Sequence, residues 1–124
     1  MNRNYQLGLL YLVHLLMSAD GVVDENETQA LNSIKSKEGI SESIFDEFKE
    51  AIRTKRGREI YQTGIEYMNR CTDEEKLRAF VILYKMSEVD GRVHVKEVRL
   101  LLYCIKVSGI EFDDVVAKAS ISSI

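Results

Sequence analysis

Apolar residues crowd the stretch from Tyr5 to Met17 so densely that they cover a helix on nearly every side, the pattern of a central helix buried all round. Asp20-Gly21 stops it, glycine being free to take the left-handed conformation at a helix end. A second helix is expected from about Asp24 to Lys37. Asp24 caps its first turn, Glu27 reaches back as in a capping box, and Ala30, Leu31 and Ile34 form the inner face. Gly39 closes that helix, and Ser41 or Ser43 starts a third whose buried side is Ile44, Phe45, Phe48 and Ile52. The basic stretch from Arg53 to Arg58 reads as a junction. Beyond it, Ile60, Tyr61, Ile65 and Met68 mark a fourth helix from about Arg58 to Asn69, weakened at Gly64.

Thr72-Asp73-Glu74-Glu75 is a helix start, with a capping hydroxyl, acids in the first turn and a glutamate at the third helical position. The fifth helix runs to about Ser87 and buries Leu77, Phe80, Val81, Leu83 and Tyr84. After Asp90-Gly91 a sixth begins near His94 or Val95, with Val98, Leu101, Leu102 and Ile105 inward. Gly109 closes it, and Glu111 to about Lys118 forms a last short helix with Phe112, Val115 and Val116 on one side. The fold class is therefore all-α, with about seven helices.

Shifted on itself by 70 residues, the chain superposes Asp20-Gly21 on Asp90-Gly91, Val23 on Val93, Glu27 on Glu97, Leu31 on Leu101 and Gly39-Ile40 on Gly109-Ile110. The preceding apolar helices register as well, Leu10 with Phe80, Val13 with Leu83 and Leu16 with Met86. This internal repeat, about residues 5–54 and 75–119 of one domain covering 1–124, predicts two pseudo-twofold-related helical units with the first and fifth helices together at the centre.

Composition agrees with a helical globule. Proline is absent, 45% of residues are hydrophobic, 30% are charged and the net charge is −3, which gives no electrostatic footprint for nucleic acid. Cys71 and Cys104 lack CxxC spacing and framework density, so free thiols in a reducing, cytoplasmic setting are expected, with Cys104 in the core. Arg3, the apolar run and Ser18-Ala19 imitate a short secretory signal. Against that reading, His14 interrupts the run, Met17 is a poor cleavage residue and a related segment recurs deep in the chain.

The repeated motif is Asp-Gly-x-Val-x-x-x-Glu. Its first copy, Ser18-Ala19-Asp20-Gly21-Val22-Val23-Asp24-Glu25-Asn26-Glu27, resembles the signature of the TerB-like tellurite-resistance family, and the second, from Glu88 to Glu97, is a looser match. The resemblance spans roughly the whole chain in helix order. It implies a compact all-helical fold and a divalent-metal role for the acids of the two loops, within bacterial stress-response or membrane-associated assemblies. Carried over residue by residue, the metal candidates are Asp20, Asp24 and Glu27 in the first loop and Asp90 and Glu97 in the second. His94 stands where Asp24 would be, so two equal sites are not expected.

The residues themselves leave two readings open. A hard cation of the calcium or magnesium class needs several converging oxygens, which acids around a tight glycine turn can supply. The same letters also serve as helix ends and caps, Asp24 at the cap and Glu27 and Glu97 closing capping boxes. An EF-hand shares only half of its loop with either copy. Glycine, valine and glutamate fall at its sixth, eighth and twelfth positions, but the first and third ligand positions hold Leu16 and Ser18, or Met86 and Glu88.

Other chemistry is thin. No nucleophile triad, phosphate loop or metal-hydrolase motif occurs, so a non-enzymatic module is expected. His14 reads as a polar core or partner-facing residue. Lys49, Arg53, Lys55, Arg56 and Arg58 gather into a basic patch, a candidate surface for a protein partner or a peripheral, anionic membrane assembly, or else a solvated face. The expected function is a metal-binding helical module, the alternative a pure protein-interaction module whose acids only cap helices.

Overall fold

The computed structural model describes residues 2–17, 25–89 and 95–121. In chain order it contains α1 (Arg3–Met17), α2 (Glu25–Lys37), α3 (Glu42–Thr54), α4 (Gly57–Asn69), α5 (Asp73–Val89), α6 (Val95–Val107) and α7 (Phe112–Ile121), with no strand among the described residues. No helix among them is long and apolar enough to cross a membrane.

Local chemistry sets these boundaries. The Oγ of Ser41 accepts a hydrogen bond from the Ile44 amide at 3.3 Å and caps α3. A reciprocal box opens α5: the Glu75 amide donates to Thr72 Oγ1 at 3.2 Å, and the Thr72 amide donates to Glu75 Oε1 at 2.9 Å. Gly39 and Gly109, at φ 64° and 76°, end α2 and α6. At both ends the next amide bonds back into the helix, Ile40 to the Lys35 carbonyl at 3.0 Å and Ile110 to that of Ile105 at 3.2 Å. The starts of α1, α2 and α3 recur 70 residues later as those of α5, α6 and α7.

α1 is the axis of the core. Every residue from Tyr5 to His14 is buried, and so is Leu16. Each fully buried leucine contributes about 2 kcal/mol, so α1 anchors the fold only if apolar surface meets it on all sides. The sequence assigned that task chiefly to α5. α5 does touch α1, with Ala79, Phe80, Val81 and Leu83 buried, but the most extensive face of α1 is covered by α4. Glycines allow that approach. A Cβ placed on Gly64 would lie 3.0 Å from Tyr11 Cβ, and one on Gly8 would lie 3.2 Å from the Met68 amide nitrogen. Gly64 is thus the contact that seats α4 on α1, where helix propensity alone marked a weak point.

Two expected core positions lie outward. The inner stripe of α6 runs through Leu101, Cys104, Ile105 and Ser108, which leaves Leu102 on the flank at 40% exposure. Phe112, 38% exposed, sits at the start of α7 and sets its ring edge-on to Tyr84 at 5.9 Å. The side chain of Val98 is outside the described residues.

A charged knot ties α1, α2 and α5. Arg78 Nε and Nη2 donate to the two carboxylate oxygens of Glu38 at 2.9 and 2.8 Å, and the Tyr5 hydroxyl donates to Glu38 Oε1 at 2.6 Å. The Glu38 side chain is only 4% exposed. The Arg78 hydrogen bonds hold its carboxyl below the usual carboxylate range.

Two tests follow from this packing. Gly64→Ala gains up to about 1 kcal/mol of helix propensity but drives a methyl group into Tyr11, an overpacking cost of about 1–3 kcal/mol. Urea denaturation is therefore expected to show a net loss. The lowered Glu38 pKa means that its stabilisation is complete above the unfolded value of about 4.3 and is lost as pH falls through the lower folded value. Thermal unfolding of Glu38→Gln should accordingly depend less on pH below about 4.3 than that of the wild type, from a baseline about 2 kcal/mol less stable at neutral pH.

Candidate functional site

Glu27, Leu31 and Ile34 share one stripe of α2, four and then three residues apart, and that stripe faces α1. A carboxylate on a core stripe must be paired, because an isolated buried charge costs several kcal/mol. Glu27 is 1% exposed, and its Oε1 meets Nδ1 of His14, itself 8% exposed on the last turns of α1. The imidazole also stands nearly perpendicular to the Phe48 ring, with centroids 6.1 Å apart. The first turn of α2 favours negative charge, since its amides point toward the helix start.

The other metal candidates are less accessible to description. Asp20, Asp24 and Asp90 lie outside the described residues, as does the side chain of Glu97, whose backbone belongs to the first turn of α6. No group of three or more histidine, cysteine, aspartate or glutamate side chains gathers among the described residues. Glu27 offers hard carboxylate oxygen held in place by burial, which suits calcium or magnesium, but such a cation takes six to eight oxygens and Glu27 supplies at most two. Asp20 and Asp24, immediately before α2, are the side chains that would have to complete the set.

A second feature opens beside the pair. α2 and α3 both lean on α1 and hardly touch each other, so a groove of about 460 Å³ runs between them. Lys35 of α2 pairs with Glu42 of α3 and holds its ammonium 4.9 Å above the ring of Phe45, which lines the groove. His14 and Glu27 lie at the floor, Leu31, Phe45, Ile52 and Ile60 give an apolar lining, and Lys49, Arg53 and Lys55 bring in positive charge.

The five basic candidates therefore divide. Lys49 and Arg53, one turn apart on α3, line the groove with Lys55, whereas Arg56 and Arg58 are exposed at the start of α4 and do not. Lys49 lies 3.7 Å from Asp46 and Arg53 lies 3.2 Å from Glu50, both exposed pairs that are weak in water. No described carboxylate lies within 4 Å of Lys55.

The cysteines offer no nucleophile. Burial pushes the Cys104 thiol up to about 12 and the Cys71 thiol up to about 11, so both hold their protons at neutral pH.

Sequence reasoning placed Glu27 in a cap and His14 in the core but did not join them. The signal was present. Each is a polar residue on an otherwise apolar stripe, and two buried groups of complementary chemistry on neighbouring helices tend to meet.

A helical domain of this kind, with a polar pair buried between its first two helices and a cleft between its second and third, defines a class of small all-α modules. The family model for tellurite resistance protein TerB matches residues 6–118, and the chain belongs to that family. Neither the curated proteins nor the solved structures searched contain a match.

The His14–Glu27 pair makes a direct stability prediction. Removing one member takes a buried polar partner from the other, so His14→Leu and Glu27→Leu should each be destabilising by up to about 3–5 kcal/mol, whereas the double variant should cost less than their sum. Additive losses in a denaturant cycle would mean that the two side chains act independently.

Proposed function

We propose that this TerB-family module is a non-enzymatic cytoplasmic protein that binds a divalent cation of the calcium or magnesium class through Asp20, Asp24 and Glu27, with Asp90 and Glu97 forming a weaker second site. Its setting is a stress-response assembly with a protein partner. The observation that carries the reading is the placement of Glu27. Glu75 occupies the same third position of its helix and spends its carboxylate on the backbone of a capping box at a half-buried surface. Glu27 is turned into the interior beside an imidazole. A residue needed only as a cap gains nothing from that desolvation. A carboxylate that anchors the acids of the preceding loop gains rigidity, which lowers the ordering cost of coordination. The cation itself supplies positive charge that relieves repulsion among the loop acids, and the part of this chain is to hold the oxygens.

Calorimetric titration with calcium, magnesium, manganese and zinc tests the proposal. Binding should raise stability by mass action, about 2.7 kcal/mol at a hundredfold excess over Kd. Asp20→Asn should abolish that gain with little change in metal-free stability, and Asp90→Asn should weaken it less, because His94 replaces the acid that matches Asp24. Silence from all four metals at millimolar concentration would leave a protein-interaction module whose loop acids only cap helices.

A further inference from the structure

The groove between α2 and α3 has the makings of a ligand site that shares only Glu27, at its floor, with the metal reading. Its volume of about 460 Å³ falls within the range of roughly 300–1,000 Å³ typical of small-molecule pockets. Its interior is mostly apolar, with Leu31, Phe45, Ile52 and Ile60 contributing. Charge is distributed unevenly along it. The carboxylate of Glu27 lies at the floor, held by His14, while Lys49 and Arg53 project from α3 with most of their side chains in solvent. Lys55 joins them from the turn after α3. Asp46 and Glu50 pair with Lys49 and Arg53 only at the exposed surface, where a competing anion can displace them at little cost.

We infer that this groove binds a single-chain anionic amphiphile of the fatty-acid class, its acyl tail lying against Leu31, Phe45, Ile52 and Ile60 and its carboxylate held among Lys49, Arg53 and Lys55. The orientation follows from depth, because Leu31, Phe45 and Ile60 are buried while Lys49 and Arg53 stand in solvent, which makes the rim the place for the head group. A partner helix fits less well. A helix with its side chains is about 10–12 Å across, so a single turn of it already takes up a volume of the order of the whole groove, about 460 Å³.

The test uses the whole chain in a buffer containing a metal chelator, which separates this inference from the cation reading. Dodecanoate and dodecanol, identical in tail and different in charge, are titrated below the concentration at which dodecanoate forms micelles. Dodecanoate should bind saturably with one-to-one stoichiometry. Thr28→Trp, at an exposed position on the groove wall, should block both probes. Arg53→Glu combined with Lys55→Glu should weaken dodecanoate about tenfold and leave dodecanol unchanged, with circular dichroism reporting an intact helical fold in both variants. Absence of saturable dodecanoate binding overturns the inference, as does binding indifferent to Thr28→Trp or an equal loss for both probes on charge reversal. A groove that takes an acidic amphipathic peptide while ignoring dodecanoate overturns it too.

Discussion

α1 is apolar round its whole circumference, and a helix of that kind survives in water only when other elements enclose it. The enclosure also removes water from its few polar groups. Tyr5, near its start, and His14, near its end, must find partners inside the protein. α2 supplies both. Glu38, just past its last turn, accepts from Tyr5, and Glu27 in its first turn meets His14. The two helices thus run in opposite directions with an acid of one against a polar side chain of the other at each end. Apolar packing tolerates sliding by small steps, but two buried polar contacts do not, so this arrangement sets the register of α2 on α1. Arg78 extends the same control to α5 through Glu38.

Of the four residues in that clamp, only Glu27 recurs as the same residue type in the second unit. Seventy residues on, the places of Tyr5, His14, Glu27 and Glu38 are taken by Glu75, Tyr84, Glu97 and Ser108. Glu75 is spent on a cap, and Ser108 is buried with its Oγ lacking a described hydrogen-bond partner. The two units keep the same helix starts and the same glycine terminations, features that depend on backbone geometry, while most of the residue types at the polar positions between helices differ. Repeated boundaries therefore do not imply repeated sites.

Much of the helix plan was legible because its signals are local. Ser41, Thr72, Gly39 and Gly109 each act within one turn of their own position, and the apolar run of α1 declares burial without reference to any partner. What stayed hidden depends on pairs of elements distant in sequence. Gly64 reads as a weak helical residue until Tyr11 is brought against it. Leu102 and Cys104 both belong on an apolar helix, and only the direction from which the core approaches α6 turns one outward and the other inward. Glu27 fits a capping pattern as well as Glu75 does, and only the approach of α1 adds His14 as a buried partner for its carboxylate. The basic patch was legible as composition, but its division into groove and surface residues follows from where α3 ends.

The groove exists for a related reason. α3 packs on α1 through Phe45 and Phe48, while α2 packs on it through Leu31, Ile34 and the Glu27–His14 pair, so each helix satisfies its core face without the other. α6 and α7, their counterparts in the second unit, do touch. α4 adds to the cleft, because Ile60 in its first turn lines it together with Lys55 from the turn before. The helix with the most extensive contact on α1 is thus also one that helps to line the cleft. α4 thereby serves packing and helps to build a candidate binding surface at once.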